Sequence, residues 1–165
     1  LLRPEVEREI CRQNVENRFT LTGWVEPQEV IERFRQSDIL FMPSLSEGLP
    51  VVGVQALAMG LAIVAGRVGG FIDLVHQEEN GYLIDPHDAA GMQSALAKLL
   101  SDRPLLFQKR LNSRRLASQF DIADIVRQYA HILENIAASS NASGRKSVER
   151  IQPVERTKPV DRSTG

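Results

Sequence analysis

The sequence predicts an α/β fold in which helices cover both faces of a parallel sheet. The segments "DILFMPS" and "LAIVAG" contain short unbroken apolar runs, typical of parallel strands buried on both faces. A third run, "NGYLIDP", lies between turn residues and predicts a further strand. Helical stretches separate these runs, and such alternation of strands and helices favours a parallel sheet.

The segments before the first buried strand predict two helices and one more strand. "RPEVEREICRQN" suits a helix with Pro4 at a first helical position and Val6 and Ile10 on one side. Pro27 predicts the start of a second helix. Between them, "RFTLTGW" alternates apolar and polar residues up to Gly23, which predicts a strand ending in a turn.

Further helices are predicted after the buried strands. The stretch from Pro50 to Met59 is apolar almost all round, so we expect a buried helix there. An amphipathic helix after the third strand is marked by apolar residues at positions 89, 92, 96 and 99. A last helix carries one continuous apolar stripe, formed by Ile122, Ile125, Val126, Tyr129, Ile132, Leu133 and Ile136.

The chain of 165 residues is long enough for one domain with a sizeable core. We assign residues 1–138 to that domain. From residue 139 onward, large apolar side chains become scarce and charges are scattered. Residues 139–165 are therefore predicted to form a disordered tail.

Composition argues against several classes of function. The formal net charge of -1 gives no global attraction toward nucleic acid, so no nucleic-acid partner is expected. Cys11 is the one cysteine, which excludes an internal disulfide, and we expect a reduced, partly buried thiol. The three histidines are too far apart in sequence to predict a metal site. Neither a membrane-spanning run nor a signal peptide is recognisable, so a cytoplasmic location is expected.

The turn after the first buried strand is the candidate ligand site. It joins that strand to the helix near Pro50, at the sheet edge where open α/β folds bind ligands. A helix start presents backbone N–H groups that hold a phosphate without a basic side chain. The amides of Val51 and Val52 are therefore plausible donors, and Gly48 allows close approach of the backbone.

Two polar side chains in this apolar region need an explanation. Gln55 lies on the predicted buried helix, where an amide without a partner costs about 1–3 kcal/mol. Its partner is either an anionic ligand at the helix end or the backbone of a neighbouring loop, and spacing alone leaves both open. Glu47 is either a solvated loop carboxylate or cap, or a functional group.

Residues 18–120 resemble the carboxyl-terminal half of a GT-B-type retaining glycosyltransferase of glycosyltransferase family 4 (group 1). The resemblance rests on "RFTLTGWV", "SDILFMPSLSEGLPVVGVQALAMG", "IVAGRVGGFIDLV" and "ENGYLIDPHD", which follow the family's order and spacing. It implies a Rossmann-like fold that is an incomplete carboxyl-terminal half of such an enzyme. It also implies transfer of a sugar, with retention, from a nucleotide-diphosphate sugar, without a metal or other cofactor.

The resemblance further implies roles for individual residues. Glu47 matches the first of two family glutamates and would meet the donor sugar near the reaction centre as the catalytic residue. Gln55 stands where the second glutamate would bond the ribose, and a neutral amide there loses a charge-assisted bond. The other implied donor-site residues are Trp24 and Val25 at the nucleobase, Ser44 beneath the diphosphate, Gly48, Leu49 and Pro50 around the sugar, and Val51 and Val52 at the phosphate.

Two neighbouring features can also be explained by a purely structural role. Trp24 is equally well explained as an aromatic side chain packed at a strand end. Gly69, Gly70 and Asp73 correspond to a family segment that we interpret as a loop entering a helix, with Asp73 in its first turn.

Parts of such an enzyme are missing from this sequence. The amino-terminal half, which holds the acceptor, is absent, and any peripheral membrane association is expected through that half. No residue matches the family's basic pair that neutralises the leaving diphosphate, and Arg67 does not match its position. The chain alone is therefore expected to be inactive. The alternative is a non-catalytic nucleotide-binding or interaction module derived from a GT-B half.

Overall fold

The computed structural model describes residues 3–48 and 50–144. Its chain divides into two compact units, residues 1–119 and 120–165, and each is described by itself. The elements of the described ranges follow in the order α1 (Arg3–Arg12), α2 (Pro27–Arg35), β1 (Ile39–Met42), α3 (Val51–Met59), β2 (Ala62–Gly66), α4 (Phe71–Leu74), β3 (Gly81–Ile84), α5 (Ala89–Ser101), α6 (Arg103–Ala117) and α7 (Ile122–Gly144).

The three strands form one parallel sheet in the order β1-β2-β3, which confirms the predicted α/β architecture. The central strand β2 is buried along its whole length, as its unbroken apolar run predicts. The edge strand β1 is less buried than predicted, because Phe41 is 42% exposed. An apolar run alone does not distinguish a central strand from an edge strand.

Both faces of β2 contribute to the core. On one face, the side chains of Ala62 and Val64 pack with Tyr82 of β3 and with Met92, Ala95 and Leu99 of α5. Successive side chains of a strand point to opposite faces, so Ile63 and Ala65 face the other way. Helix α3 also contacts β2 and contributes the fully buried Ala56 and Leu57.

The strand predicted over "RFTLTGW" is absent from the structure. Phe19 has extended backbone angles (φ -119°, ψ 138°), but this segment pairs with no strand among the described residues. Phe19 and Leu21 are 53% and 41% exposed. The alternating pattern agrees with the extended backbone at Phe19. A strand also needs a hydrogen-bonded neighbour, which a local pattern does not reveal.

Helix α3 differs in two details from its prediction. It begins at Val51, and Pro50 is its N-cap with extended backbone angles (φ -77°, ψ 106°). It is not buried all round, because Val51 is 68% exposed. The helix ends at Gly60, whose φ of 73° is the left-handed conformation that glycine adopts readily.

Helix α6 holds the turn that precedes β3. The buried Lys109 donates to the carbonyl of Glu78 at 2.5 Å, and Asn112 donates to the carbonyl of Glu79 at 2.8 Å. The Lys109 ammonium also lies 4.7 Å from the centroid of the Tyr82 ring. These contacts compensate the positive charge of Lys109, because burying an unpaired ammonium group would be costly.

Helix α1 exposes the one cysteine of the chain. Cys11 is exposed, so the expectation of a partly buried thiol is wrong. The buried residue of this helix is its neighbour Ile10. The hydrogen bond between Cys11 and the Glu16 carboxylate, followed by the charge of Glu16, raises the pKa of the thiol.

The second unit contains the predicted last helix, α7. Its stripe of large apolar residues is exposed to between 53% and 73% at Ile122, Val126, Tyr129, Ile132, Leu133 and Ile136. The helix continues to Gly144, six residues beyond the predicted domain boundary, and residues 145–165 of the predicted tail lie outside the described residues. None of the described helices is long and apolar enough to cross a membrane.

Candidate functional site

The candidate site begins with the loop between β1 and α3. It lies at the carboxyl edge of the sheet, because β1 ends at Met42 and α3 starts at Val51. Within the loop, Ser44 Oγ donates to Glu47 Oε1 at 2.8 Å, and both residues are half-buried. This hydrogen bond restrains the Glu47 carboxylate, so the candidate catalytic group is held by a neighbour that the resemblance assigned to the same site.

A second loop, residues 67–70, follows β2 and forms a wall of the site. The amide of Gly70 donates to the carbonyl of Gly48 at 2.8 Å. Gly69 has a φ of 44°, and a Cβ at this position would lie 1.7 Å from the carbonyl oxygen of Glu47. Only glycine fits there, since a side chain would be strained and would overlap the neighbouring backbone.

Gly66 makes a similar close approach at the end of β2. A Cβ on this residue would lie 2.4 Å from the carbonyl oxygen of Ser44. The two loops of the site therefore meet backbone to backbone. The sequence interpretation of Gly69 and Gly70 as a loop entering a helix does not include Gly66. A glycine that closes a buried strand is a sign of close backbone contact, and this signal could have identified it.

Helix α3 is set in place by a glycine within its first turn. A Cβ on Gly53 would lie 2.5 Å from Leu74 Cδ1 and 3.2 Å from Phe71 Cε1, so α3 and α4 pack closely. Asp73 lies in the first turn of α4, as predicted. At the start of α3, Pro50 is buried and makes no side-chain cap bond, and Val52 is half-buried. Leu49 lies outside the described residues.

Gln55 is half-buried on α3. Its side chain makes no hydrogen bond within the residues whose side chains the structure describes, so neither a loop backbone nor another side chain there is its partner. It lies one helical turn beyond Val51, on the helix that starts at the candidate site. The amide is therefore available to a ligand.

The turn at residues 23–25 presents Trp24 to solvent. The indole is fully exposed, which excludes the interpretation that it packs at a strand end, and Val25 is half-buried. The contacts of this turn run to α1, where Arg3 Nη2 donates to the carbonyl of Leu21 at 3.5 Å. A cavity of about 380 Å³ adjoins the turn and is lined by Arg3, Val6, Thr20, Leu21, Thr22 and Gly23.

Two further features bear on the chemistry. The Arg67 guanidinium donates to the carbonyl of Leu83 at 2.9 Å, a structural contact that links the loop after β2 to β3. In the described ranges there is no group of three or more His, Cys, Asp or Glu residues that could hold a metal ion. A reaction without a metal remains a prediction.

Sequence comparisons find relatives of this chain among glycosyltransferases. The model of the family described as "Glycosyl transferases group 1" matches residues 2–102. D-inositol 3-phosphate glycosyltransferase of Corynebacterium glutamicum (strain R) is 29% identical over 142 residues, which cover 86% of this chain and 34% of the relative. Probable sucrose-phosphate synthase 5 of Oryza sativa subsp. japonica is 32% identical over 70% of this chain and 11% of the relative.

Solved structures show the same fold. HepE of Anabaena, crystallised in complex with UDP, superposes with a TM-score of 0.73 at 26% identity over 80% of this chain and 36% of HepE. Sucrose-phosphate synthase of Thermosynechococcus elongatus gives a TM-score of 0.73 at 25% identity, over 83% of this chain and 35% of the synthase. The chain spans about a third or less of the length of the curated relatives it matches.

Proposed function

Because this chain belongs to the glycosyl transferases group 1 family, we propose that it supplies the donor-binding part of a retaining GT-B enzyme of glycosyltransferase family 4. The donor is a nucleotide-diphosphate sugar, bound as a substrate without another cofactor. An amino-terminal half outside this sequence holds the acceptor and provides a peripheral membrane contact of its own. We place the reaction in the cytoplasm.

One juxtaposition carries this proposal. A restrained carboxylate, Glu47, lies in the loop that leads into a helix N-terminus at the carboxyl edge of a parallel sheet. Backbone from a second, glycine-rich loop packs against it. HepE, which shares this fold at 25–26% identity, was crystallised with UDP and with UDP-glucose, and this supports a nucleotide sugar as the ligand.

In the proposed complex, Glu47 contacts the donor sugar and the start of α3 receives the diphosphate. The backbone amides of Val51 and Val52 stabilise the phosphate, since a helix start carries partial positive charge. Gln55 bonds the ribose as a neutral partner, and Trp24 with Val25 borders the nucleobase. Ser44 contacts the diphosphate, and the sugar is contacted by Gly48, Leu49 and Pro50.

The proposed reaction exchanges one bond at the anomeric carbon for another. The bond from this carbon to the diphosphate oxygen breaks, a bond to the acceptor oxygen forms on the same face, and the acceptor hydroxyl passes its proton to the leaving diphosphate or to water. The leaving diphosphate gains negative charge, which oriented backbone amides stabilise. This chain carries no counterpart of the family's basic pair, so we propose that it does not catalyse transfer alone.

Amide NMR spectroscopy of the full chain tests the donor site. Titration with UDP and with UDP-glucose should shift the signals of Val51 and Val52, while Asp38 and Gly60 at the opposite sheet edge should stay unchanged. Glu47→Gln should weaken UDP-glucose binding more than UDP binding, because the carboxylate contacts the sugar. No shift at millimolar nucleotide would contradict the donor site. Equal losses for both ligands in Glu47→Gln would favour a non-catalytic nucleotide-binding module.

A further inference from the structure

A stripe of three arginines and one phenylalanine runs along the outside of α6. Arg103, Phe107, Arg110 and Arg114 follow one another at four, three and four positions, which places them on one helix face. The stripe is about 16 Å long, at 1.5 Å of rise per residue. We call these four residues the α6 stripe.

Phe107 is the apolar centre of the α6 stripe. Its side chain is 60% exposed, although a phenylalanine on a globular domain is usually buried. Open grooves lie on both sides of it, one of about 260 Å³ shared with Asp38, Arg103, Leu106 and Arg110, and one of about 140 Å³ shared with Met59, Gly60, Arg110, Leu111 and Arg114. The ring therefore stands on a ridge and does not fill a pocket of its own chain.

The charges of the α6 stripe are only partly compensated. Arg110 donates to the carbonyl of Gly60 at 2.9 Å and forms an ion pair with Asp38. Arg103 and Arg114 are exposed and form no ion pair within the described part of the chain. Asp102 beside the stripe is engaged as the N-cap of α6, where it accepts from the amide of Leu105 at 2.9 Å. Two guanidiniums flanking an exposed ring thus have no anionic partner among residues 3–48 and 50–144.

The stripe lies at the sheet edge opposite the candidate donor site. Asp38 immediately precedes β1 and Gly60 lies just before β2, so both mark the amino edge of the sheet. Glu47 and the glycine loop lie beyond the carboxyl ends of the same strands. Contact along the α6 stripe would leave the donor site open.

We propose that the α6 stripe docks this chain on an anionic lipid surface. A protruding aromatic ring inserts readily into the soft boundary between headgroups and acyl chains, whereas a rigid protein partner would need a matching pocket. Arginines on both sides of the ring bond lipid phosphates while their stems stay at the interface. The inference concerns α6 itself and is independent of the proposed transferase activity.

Vesicle binding by the full chain tests the α6 stripe. The chain should sediment with vesicles of phosphatidylcholine and phosphatidylglycerol and not with phosphatidylcholine alone. Arg103→Gln with Arg114→Gln should weaken this binding about 30-fold, at about 1 kcal/mol per arginine near the membrane. Phe107→Ser should weaken it by about tenfold or more, because an apolar anchor is lost. Circular dichroism verifies that each variant is folded.

Matched controls separate this surface from general charge and from an exposed aromatic side chain elsewhere. Arg8→Gln with Arg18→Gln removes two exposed arginines elsewhere, and Phe19→Ser removes another half-exposed phenylalanine. Neither control should change vesicle binding. Equal losses in the controls, or retention of binding by the α6 variants, would overturn the proposal.

A fluorescent probe gives an independent readout. With Cys11→Ser, the substitution Phe107→Cys provides a single attachment point for an environment-sensitive dye. Its emission should shift to the blue with the anionic vesicles, and the same dye at Phe19→Cys should not respond. Absence of a shift at position 107, or equally tight binding of the chain to an acidic peptide or to duplex DNA, would contradict a lipid surface.

Discussion

At the scale of single residues, three glycines differ sharply in what a side chain would meet. Gly66 and Gly69 face backbone carbonyls of the loop after β1, at distances that no Cβ tolerates. Gly48 belongs to that same loop and has open space around its Cα. The first two glycines are required for the loops to meet, whereas Gly48 is free for contact with a ligand.

Gly69→Ala should therefore destabilise the protein and disrupt the candidate site. The methyl group would be strained at positive φ and would overlap the carbonyl of Glu47, so we expect a loss of about 1–3 kcal/mol in the free energy of unfolding. Urea denaturation measures this loss. Gly48→Ala is the matched control and should change stability by about 0.5 kcal/mol or less. A stable Gly69→Ala variant would show that the two loops separate easily.

Gln55→Glu should tighten nucleotide binding. A carboxylate accepts charge-assisted hydrogen bonds from ribose hydroxyls, so we expect about a three- to tenfold lower Kd for UDP. Isothermal titration calorimetry measures the affinity. Gln55→Met keeps the length without the amide and should bind UDP more weakly. An unchanged affinity in both variants would place Gln55 outside the nucleotide contacts.

Glu16→Gln should make Cys11 more reactive. The Glu16 carboxylate raises the pKa of this thiol by hydrogen bonding and charge, so its removal lowers the pKa and increases the thiolate fraction below that pKa. Alkylation by iodoacetamide at about pH 8 should become a few-fold faster. Glu9→Gln is the control, since its carboxylate bonds Arg12 and Gln13. A slower reaction in Glu16→Gln would contradict the assigned cause.

At the scale of elements, the sequence patterns predicted those helices and strands whose signals come from neighbouring residues in the chain. The helix start next to Pro4, the helix start at Pro27 and the buried run of β2 could be predicted, because proline geometry and burial leave a direct signature. The missing strand near Phe19 and the exposed edge at Phe41 could not, because both depend on which strands lie side by side.

The candidate site likewise has one feature that the sequence order predicts and others that it does not. The loop carrying Glu47 could be placed at the carboxyl edge from strand and helix order alone. The hydrogen bond from Ser44 to Glu47 lies within that loop, whereas the backbone contact with Gly69 joins it to a loop that is distant in sequence. Spacing within either loop carries no record of such a contact, so these features required the folded chain.

The junction between α5 and α6 offers a prediction at this scale. Asp102 ends α5 and caps α6 by accepting from the amide of Leu105 at 2.9 Å. Asp102→Ala should cost about 1 kcal/mol in the free energy of unfolding, because the amide loses its partner. Asp102→Asn keeps an acceptor and should cost much less. Equal stability of the alanine and asparagine variants, measured by urea denaturation, would contradict a capping role.

At the scale of the whole molecule, the first unit holds all three described strands and the candidate site. The central strand β2 is buried, and α3, α5 and α6 each contact it. The unit therefore contains a core of its own. Its two sheet edges carry different proposed contacts, a nucleotide sugar at one and anionic lipid at the other.

Residues 1–119 should fold without the second unit. A chain ending at Gln119 retains the sheet and the α5 cluster, so we expect a cooperative thermal transition within about 10 °C of the full chain. Circular dichroism at increasing temperature measures it. Val64→Asp in the same short chain buries a charge and should abolish the transition. A short chain without cooperative unfolding would show that its core is incomplete.

The loop after β1 and the loop after β2 contact each other through main-chain atoms. Every amino acid except proline supplies the same carbonyl and amide, so this contact does not depend on the side chains at positions 45, 46 and 68. Those positions can accumulate substitutions while the frame that carries Glu47 keeps its shape. The surface beside Glu47 can therefore change while the backbone that carries this carboxylate stays the same.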